Sequence, residues 1–181
     1  MLRTFEGNAP RIDPTAFVSE AAYVVGDVRM GPDSSVWPGA VLRADFSPIT
    51  VGANTHIEDN VTVHQGPPGV EIGDNVTIGH NAVIHCRRIG DTILIGNHAT
   101  ILDGAEIGAN CVVAAGAVVR PGTVVPDNSF VVGVPATVRP LSPEMQANTT
   151  SWNAGYADLA RRYKAAGLGD DEVRASDDAV R

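Results

Sequence analysis

Aliphatic side chains recur at every sixth position along much of this chain: Ile12, Val18, Val24, Met30, Val36 and Leu42, then Val51, Ile57 and Val63, then Ile72, Ile78 and Ile84. A further run extends through Ile89, Ile95, Ile101, Ile107, Val113, Val119, Val125 and Val131. Four residues after most of them stands a small or β-branched side chain, as at Ala40, Thr55, Val61, Val76, Ala82, Ala99, Ala105, Cys111 and Ala117. Glycine often follows the aliphatic residue directly, as in IGDNVT, IGHNAV and IGANCV. A period of six matches neither a helix face nor the simple alternation of a strand. It is the signature of a parallel β-helix in which each hexapeptide forms one short strand and a corner, and three hexapeptides close a triangular coil. The aliphatic residue then points into the prism and the small residue fits the corner. The rhythm slips at LRADFSPIT, VHQGPPGVE and IHCRR, and such insertions fall at corners, where function tends to sit.

After Pro140 the pattern stops. SPEMQANTTSWNAGYADLARRYKAAGLG offers Ser142 as an N-cap, then helix formers with Leu159 and Tyr163 four apart on one face, which predicts a helix lying along the prism. DDEVRASDDAVR is charged and unpatterned and predicts a frayed end. The expected fold is all-β, a parallel β-helix domain over residues 1–140, with a C-terminal α-helix packed on it over 141–167 and a flexible tail over 168–181.

Composition narrows the function. The 181 residues suffice for one domain with a substantial core. Thirteen Lys and Arg against 21 Asp and Glu leave a net charge of −8, which argues against a nucleic-acid partner and favours a small ligand. The N-terminus lacks the apolar core of a signal peptide, and no apolar run is long enough to span a bilayer, so a cytoplasmic protein without a membrane partner is expected. Two cysteines, Cys86 and Cys111, are too few for a disulfide framework and read as free thiols, Cys111 as core filler and Cys86 as a bystander.

The histidines carry the chemistry. Repeats beginning at Leu42, Val63 and Ile84 lie above one another, about 4.8 Å apart per coil, so their second residues, Arg43, His64 and His85, form an outward column. Repeats beginning at Ile57 and Ile78 stack in the same way and put Asp59 and His80 in a different column. Along one coil His80 and His85 are up to roughly 16 Å apart, too far to share a metal within one subunit. His64 and His85, on adjacent coils, are placed for two nitrogen bonds of about 2.0–2.1 Å to Zn²⁺. The economical third ligand is His80 of a neighbouring subunit in a closed threefold ring. His56 and His98 are expected to face solvent without a role.

RAD at 43–45, IEDN at 57–60, VH at 63–64, GHNAVIH at 79–85 and LDGA at 102–105 match, in order and spacing, the motifs of the γ-class carbonic anhydrases and their bacterial homologues, which this chain resembles from about residue 8 to 165. The resemblance implies a left-handed helix of hexapeptide repeats, a homotrimer with metal sites between subunits, and reversible hydration of CO2 to bicarbonate by hydroxide generated at the metal. It implies that His64 and His85 of one subunit and His80 of the next bind Zn²⁺, with Fe²⁺ or Co²⁺ as alternatives. It further implies that Arg43, Asp45 and Asp59 tie the subunits together, and that Tyr156 is the helix-borne tyrosine near the site.

Glu58 stands where the family usually has a glutamine that orients the hydroxide, and the role expected of it is to orient that hydroxide or to act as a base. His56 replaces a usual asparagine, and Phe46 stands where some members carry an acid. VGVPATVR at 132–139 also ends many hexapeptide acyltransferases, so an acyltransferase is one alternative. A non-catalytic metal- or ligand-binding trimer is another.

Overall fold

The computed structural model describes residues 1–148, 153–169 and 173–174. Nearly every strand is two or three residues long and pairs in parallel with the strand one coil above and one coil below. Three inward columns result. One runs Leu42, Val63, Ile84, Ile101, Val119. A second runs Val51, Ile72, Ile89, Ile107, Val125. The third runs Val18, Val36, Ile57, Ile78, Ile95, Val113, Val131. All of these side chains are buried, and with the small corner residues they form one continuous core. The expected parallel β-helix, coiled on a six-residue period, is thus the fold.

The corners explain the glycines and asparagines. Asn75, Asn81 and Asn110 have φ between 53° and 60°, the left-handed region that asparagine tolerates best among residues with a Cβ. A methyl on Gly73 would stand 2.8 Å from the Gly90 carbonyl of the next coil, so coils stack closely only if this position is bare.

The irregular segments lie where the rhythm slips. Val41–Val51 runs as one eleven-residue strand whose register against Tyr23–Met30 shifts between Gly26 and Val28. QGPPG forms a loop beside it, and Cys86 is buried at the third slip. At the far end Ser129–Gly133 and Ala136–Pro140 close the prism with an antiparallel hairpin.

Where the sequence suggests a single C-terminal helix, two short ones are described, α1 (Pro143–Asn148) and α2 (Tyr156–Ala165). Ser142 caps the first, its Oγ accepting from the Met145 N–H at 3.2 Å. Gly155, with φ of 90°, precedes the second in a conformation that no helix interior allows. Leu159, Ala160 and Tyr163 of α2 pack on Phe17 and Trp37 of the prism, with Tyr163 and Trp37 ring centroids 5.1 Å apart. Of the tail expected over 168–181, residues 170–172 and 175–181 lie outside the described residues; Val173–Arg174 pairs in parallel with Leu2–Arg3. No helix among the described residues is long and apolar enough to cross a membrane.

Candidate metal centre

His64 ends the strand Thr62–His64, and His85 follows Val83–Ile84 on the coil above; the pairing of Val63 with Ile84 puts the two imidazoles one over the other. His64 Nδ1 and His85 Nε2 face each other at 3.3 Å. Each remaining ring nitrogen meets a carboxylate: His64 Nε2 lies 3.1 Å from Asp45 Oδ1, and His85 Nδ1 lies 3.2 Å from Asp103 Oδ1. A carboxylate only accepts, so in the neutral imidazoles both N–H groups go to Asp45 and Asp103, and the two facing nitrogens present lone pairs. Two lone pairs pointed at one another call for a proton or a cation between them.

Arg43, paired in register with His64, donates to Asp45 within the same chain. Burial pushes the Asp45 carboxyl upward, but hydrogen bonds from Arg43 and His64 together with the guanidinium charge outweigh it and hold the group below the usual carboxylate value. Beside the pair opens a cleft of about 520 Å³ whose walls include Phe46, Gln65, Pro67, Pro68 and Arg87. Phe46 is 71% exposed, with its ring 6.0 Å from that of His64.

A second cluster sits on another face of the same two coils. Glu58 follows the strand His56–Ile57, and His80 follows Val76–Ile78 one coil on. Glu58 is almost fully buried. Its Oε1 accepts from the Tyr156 hydroxyl, and its Oε2 accepts from the His80 backbone N–H at 3.1 Å and faces His80 Nε2 at 3.0 Å. The other imidazole nitrogen, Nδ1, meets Asp59 Oδ2 at 3.1 Å. Burial, then the adjoining Glu58 carboxylate, pushes the Tyr156 phenol well above its ordinary value, so it stays protonated and donates. Tyr156 is within reach because α2 docks there, a placement carried by the chain's few aromatics.

His56 corrects the expectation that it faces solvent. It is fully buried, its Nδ1 is 2.8 Å from Ser35 Oγ, its Nε2 is 3.2 Å from Asn54 Oδ1, and its ring stacks on Tyr156 with centroids 5.0 Å apart. Trp37 Nε1 also donates to Ser35 Oγ, at 2.8 Å, so the serine hydroxyl is free to donate to Nδ1, and the imidazole is neutral with its proton on Nε2. Burial lowers its pKa to about 4. The physical reason is that α2 covers the outward side of His56–Ile57. His98 is exposed at a left-handed corner, as expected.

The structure therefore brings together His64, His85, Asp45 and Arg43, and separately Glu58, Tyr156, His80 and Asp59. Asp103, not singled out in the sequence, joins the first group; its signal is the LDGA motif one coil above His85. Cys86 and Cys111 are free and buried, and burial raises the Cys86 thiol to about 12, which keeps it out of metal chemistry. Among the described residues no three His, Cys, Asp or Glu side chains of one chain converge on a metal position. The donor set nevertheless suits a transition metal: two nitrogens about 2.0–2.1 Å from a tetrahedral ion sit about 3.3–3.4 Å apart, the spacing of the His64 and His85 pair. Carboxylates on the far ring nitrogens are the usual support for such ligands.

Two family models match the repeats, the hexapeptide repeat of succinyl-transferase over residues 47–86 and the bacterial transferase hexapeptide (six repeats) over 88–121. The chain is 34% identical to a carbonic anhydrase of Geobacillus kaustophilus, covering 91% of this chain and 92% of the relative. It is 41% identical to the mitochondrial gamma carbonic anhydrase 1 of Arabidopsis thaliana over 87% of its own residues, while spanning about 60% of that plant protein's length. A solved hexapeptide transferase family protein from Anaplasma phagocytophilum superposes with a TM-score of 0.86 at 33% identity, covering 90% of this chain and 98% of the other.

Proposed function

From the premise that this chain belongs to the γ carbonic anhydrase family of left-handed hexapeptide-repeat β-helices, we propose that it is a metal-dependent, carbonic anhydrase-like enzyme acting on CO2 and bicarbonate. In this proposal it works as a cytoplasmic homotrimer, with the metal, Zn²⁺ or else Fe²⁺ or Co²⁺, between subunits. The observation that carries it is the His64 and His85 pair, set at a metal-spanning distance with a carboxylate behind each ring. His80 of the adjoining subunit supplies the third imidazole, since one chain alone offers only two at that position. When bound, such an ion supplies a hydroxide source near neutral pH and a Lewis acid for the developing charge.

The chain's own residues do the rest. Asp45 and Asp103 fix the ring orientations of His64 and His85, and Arg43 holds Asp45 in place. Tyr156, kept protonated, holds the Glu58 carboxylate on the reacting side, while Asp59 sets the tautomer of His80. Phe46, Pro67 and Pro68 give the cleft an apolar wall suited to a small uncharged substrate.

Purified protein is expected to retain about one metal per chain and to hydrate CO2 in stopped-flow assays. His85→Ala is expected to lose both, because the facing lone-pair arrangement is removed. CO2 hydration unchanged in His85→Ala overturns the proposal. The transferase family models support a second reading, acyl transfer, which acetyl-CoA turnover in the absence of CO2 hydration would favour.

A further inference from the structure

We propose that Glu58 is itself a metal ligand, the fourth protein donor of a site built from two half-sites, His64 with His85 of one subunit and His80 with Glu58 of the next. This rests on the reading above that a metal lies between subunits.

The two half-sites are alike in geometry. His80 Nε2 and Glu58 Oε2 are 3.0 Å apart and His64 Nδ1 and His85 Nε2 are 3.3 Å apart. Edges between donors on four- and five-coordinate zinc run from about 2.9 to about 3.4 Å. They are alike in chemistry as well. Asp59 Oδ2 faces His80 Nδ1 at 3.1 Å, and a ring that donates its single N–H there turns its Nε2 lone pair toward the Glu58 oxygen, where a metal ion would satisfy both acceptors. Glu58 is held as a ligand is held: Tyr156 fixes one oxygen and the His80 backbone N–H fixes the other, with a further lone pair on Oε2 left to face the imidazole.

Height along the prism completes the argument. Glu58 and His64 lie on one coil and His80 and His85 on the next, with Ile57 paired to Ile78 and Val63 to Ile84. Both half-sites therefore straddle the same two coils. A threefold rotation about an axis parallel to the prism brings the His80 and Glu58 edge of one copy level with the His64 and His85 edge of its neighbour, with no shift along the axis. Together the two edges would offer the ion four protein donors, where three histidines and a glutamine would leave the fourth place to solvent. For hydration of CO2, Glu58 would have to share the ion with solvent or yield its place, with Tyr156 positioned to hold its other oxygen.

A crystal structure of the Zn²⁺-loaded protein tests this directly. A Glu58 oxygen about 2.0–2.2 Å from the ion is expected. Three imidazoles and a solvent ligand, with Glu58 beyond about 3 Å, overturn the inference and leave the interfacial metal standing. In solution, chelator competition should show Glu58→Gln binding Zn²⁺ about tenfold or more weakly. Azide should shift the visible bands of Co²⁺-loaded Glu58→Gln at about tenfold or more lower concentration than those of the Co²⁺-loaded wild type. Wild-type affinity in Glu58→Gln, or an equal azide response in the wild type, overturns the inference. A wild-type chain that retains no Zn²⁺ takes down both this inference and the reading beneath it, so the two failures are told apart.

Discussion

His56 shows how an outward position can be buried when its face of the prism is covered. It precedes inward-facing Ile57, so strand alternation turns its side chain outward, onto a face of the prism where Phe17, Ser35, Thr77 and Val112 of the same column are buried as well. Here outward means under α2, where Ser35, Asn54 and Tyr156 enclose the ring. A buried imidazole with its pKa lowered from 6.5 to about 4 makes stability depend on pH. Between those values the unfolded chain binds a proton that the folded chain refuses. Stability is therefore fully present above the unfolded value, falls as pH drops through the window, and levels off below the folded value. From about pH 7.5 to about pH 5 the wild type is expected to lose about 2 kcal/mol from this group. Denaturant titrations at fixed protein concentration should show that loss largely abolished in His56→Asn; an unchanged pH dependence counts against the buried, neutral imidazole. The same local limits applied to the site. Column counting could align Arg43, His64 and His85, because registry is a matter of period, whereas the LDGA motif contained Asp103 without telling that its carboxylate stands behind His85.

At the level of elements, stacking is what the repeat sets. Backbones one coil apart approach so closely that the corner position after the aliphatic residue has no room for a side chain, as the Gly73 and Gly90 contact shows. Gly73→Ala is expected to destabilise the protein by about 1–3 kcal/mol through forced separation of coils. Thermal or denaturant unfolding measures it, and a neutral result would mean the corner relaxes freely. The glycines were legible in the sequence for the same reason they are needed, because they recur in phase. The helical segment was less legible: residue types that favour a helix run on past the point where Gly155 takes a left-handed φ of 90° and starts α2 anew. That break aims Tyr156 at Glu58, a pairing of residues 98 apart that local propensity has no means to express.

For the whole molecule, the proposed site predicts complementation between subunits. His64→Ala keeps the His80 and Glu58 half intact, and His80→Ala keeps the His64 and His85 half intact. Each variant alone should bind metal poorly, while trimers reassembled from an equal mixture should regain about a quarter of the sites, those in which intact halves meet. Metal content after co-refolding measures this, and no recovery would count against sites shared between subunits. The sequence by itself determined the β-helix, its inward columns, its corners and the stacking of His64 under His85, since all follow from a period repeated through most of the chain and each coil lies directly over the last. Only the tertiary structure decided what covers the prism: that α2 buries His56, that Tyr156 reaches Glu58, that Asp45 and Asp103 stand behind the histidines, and that Glu58 and His80 form an edge level with His64 and His85. Those contacts join residues with no shared period, and they depend on where a non-repeating helix and the bulged corners come to rest.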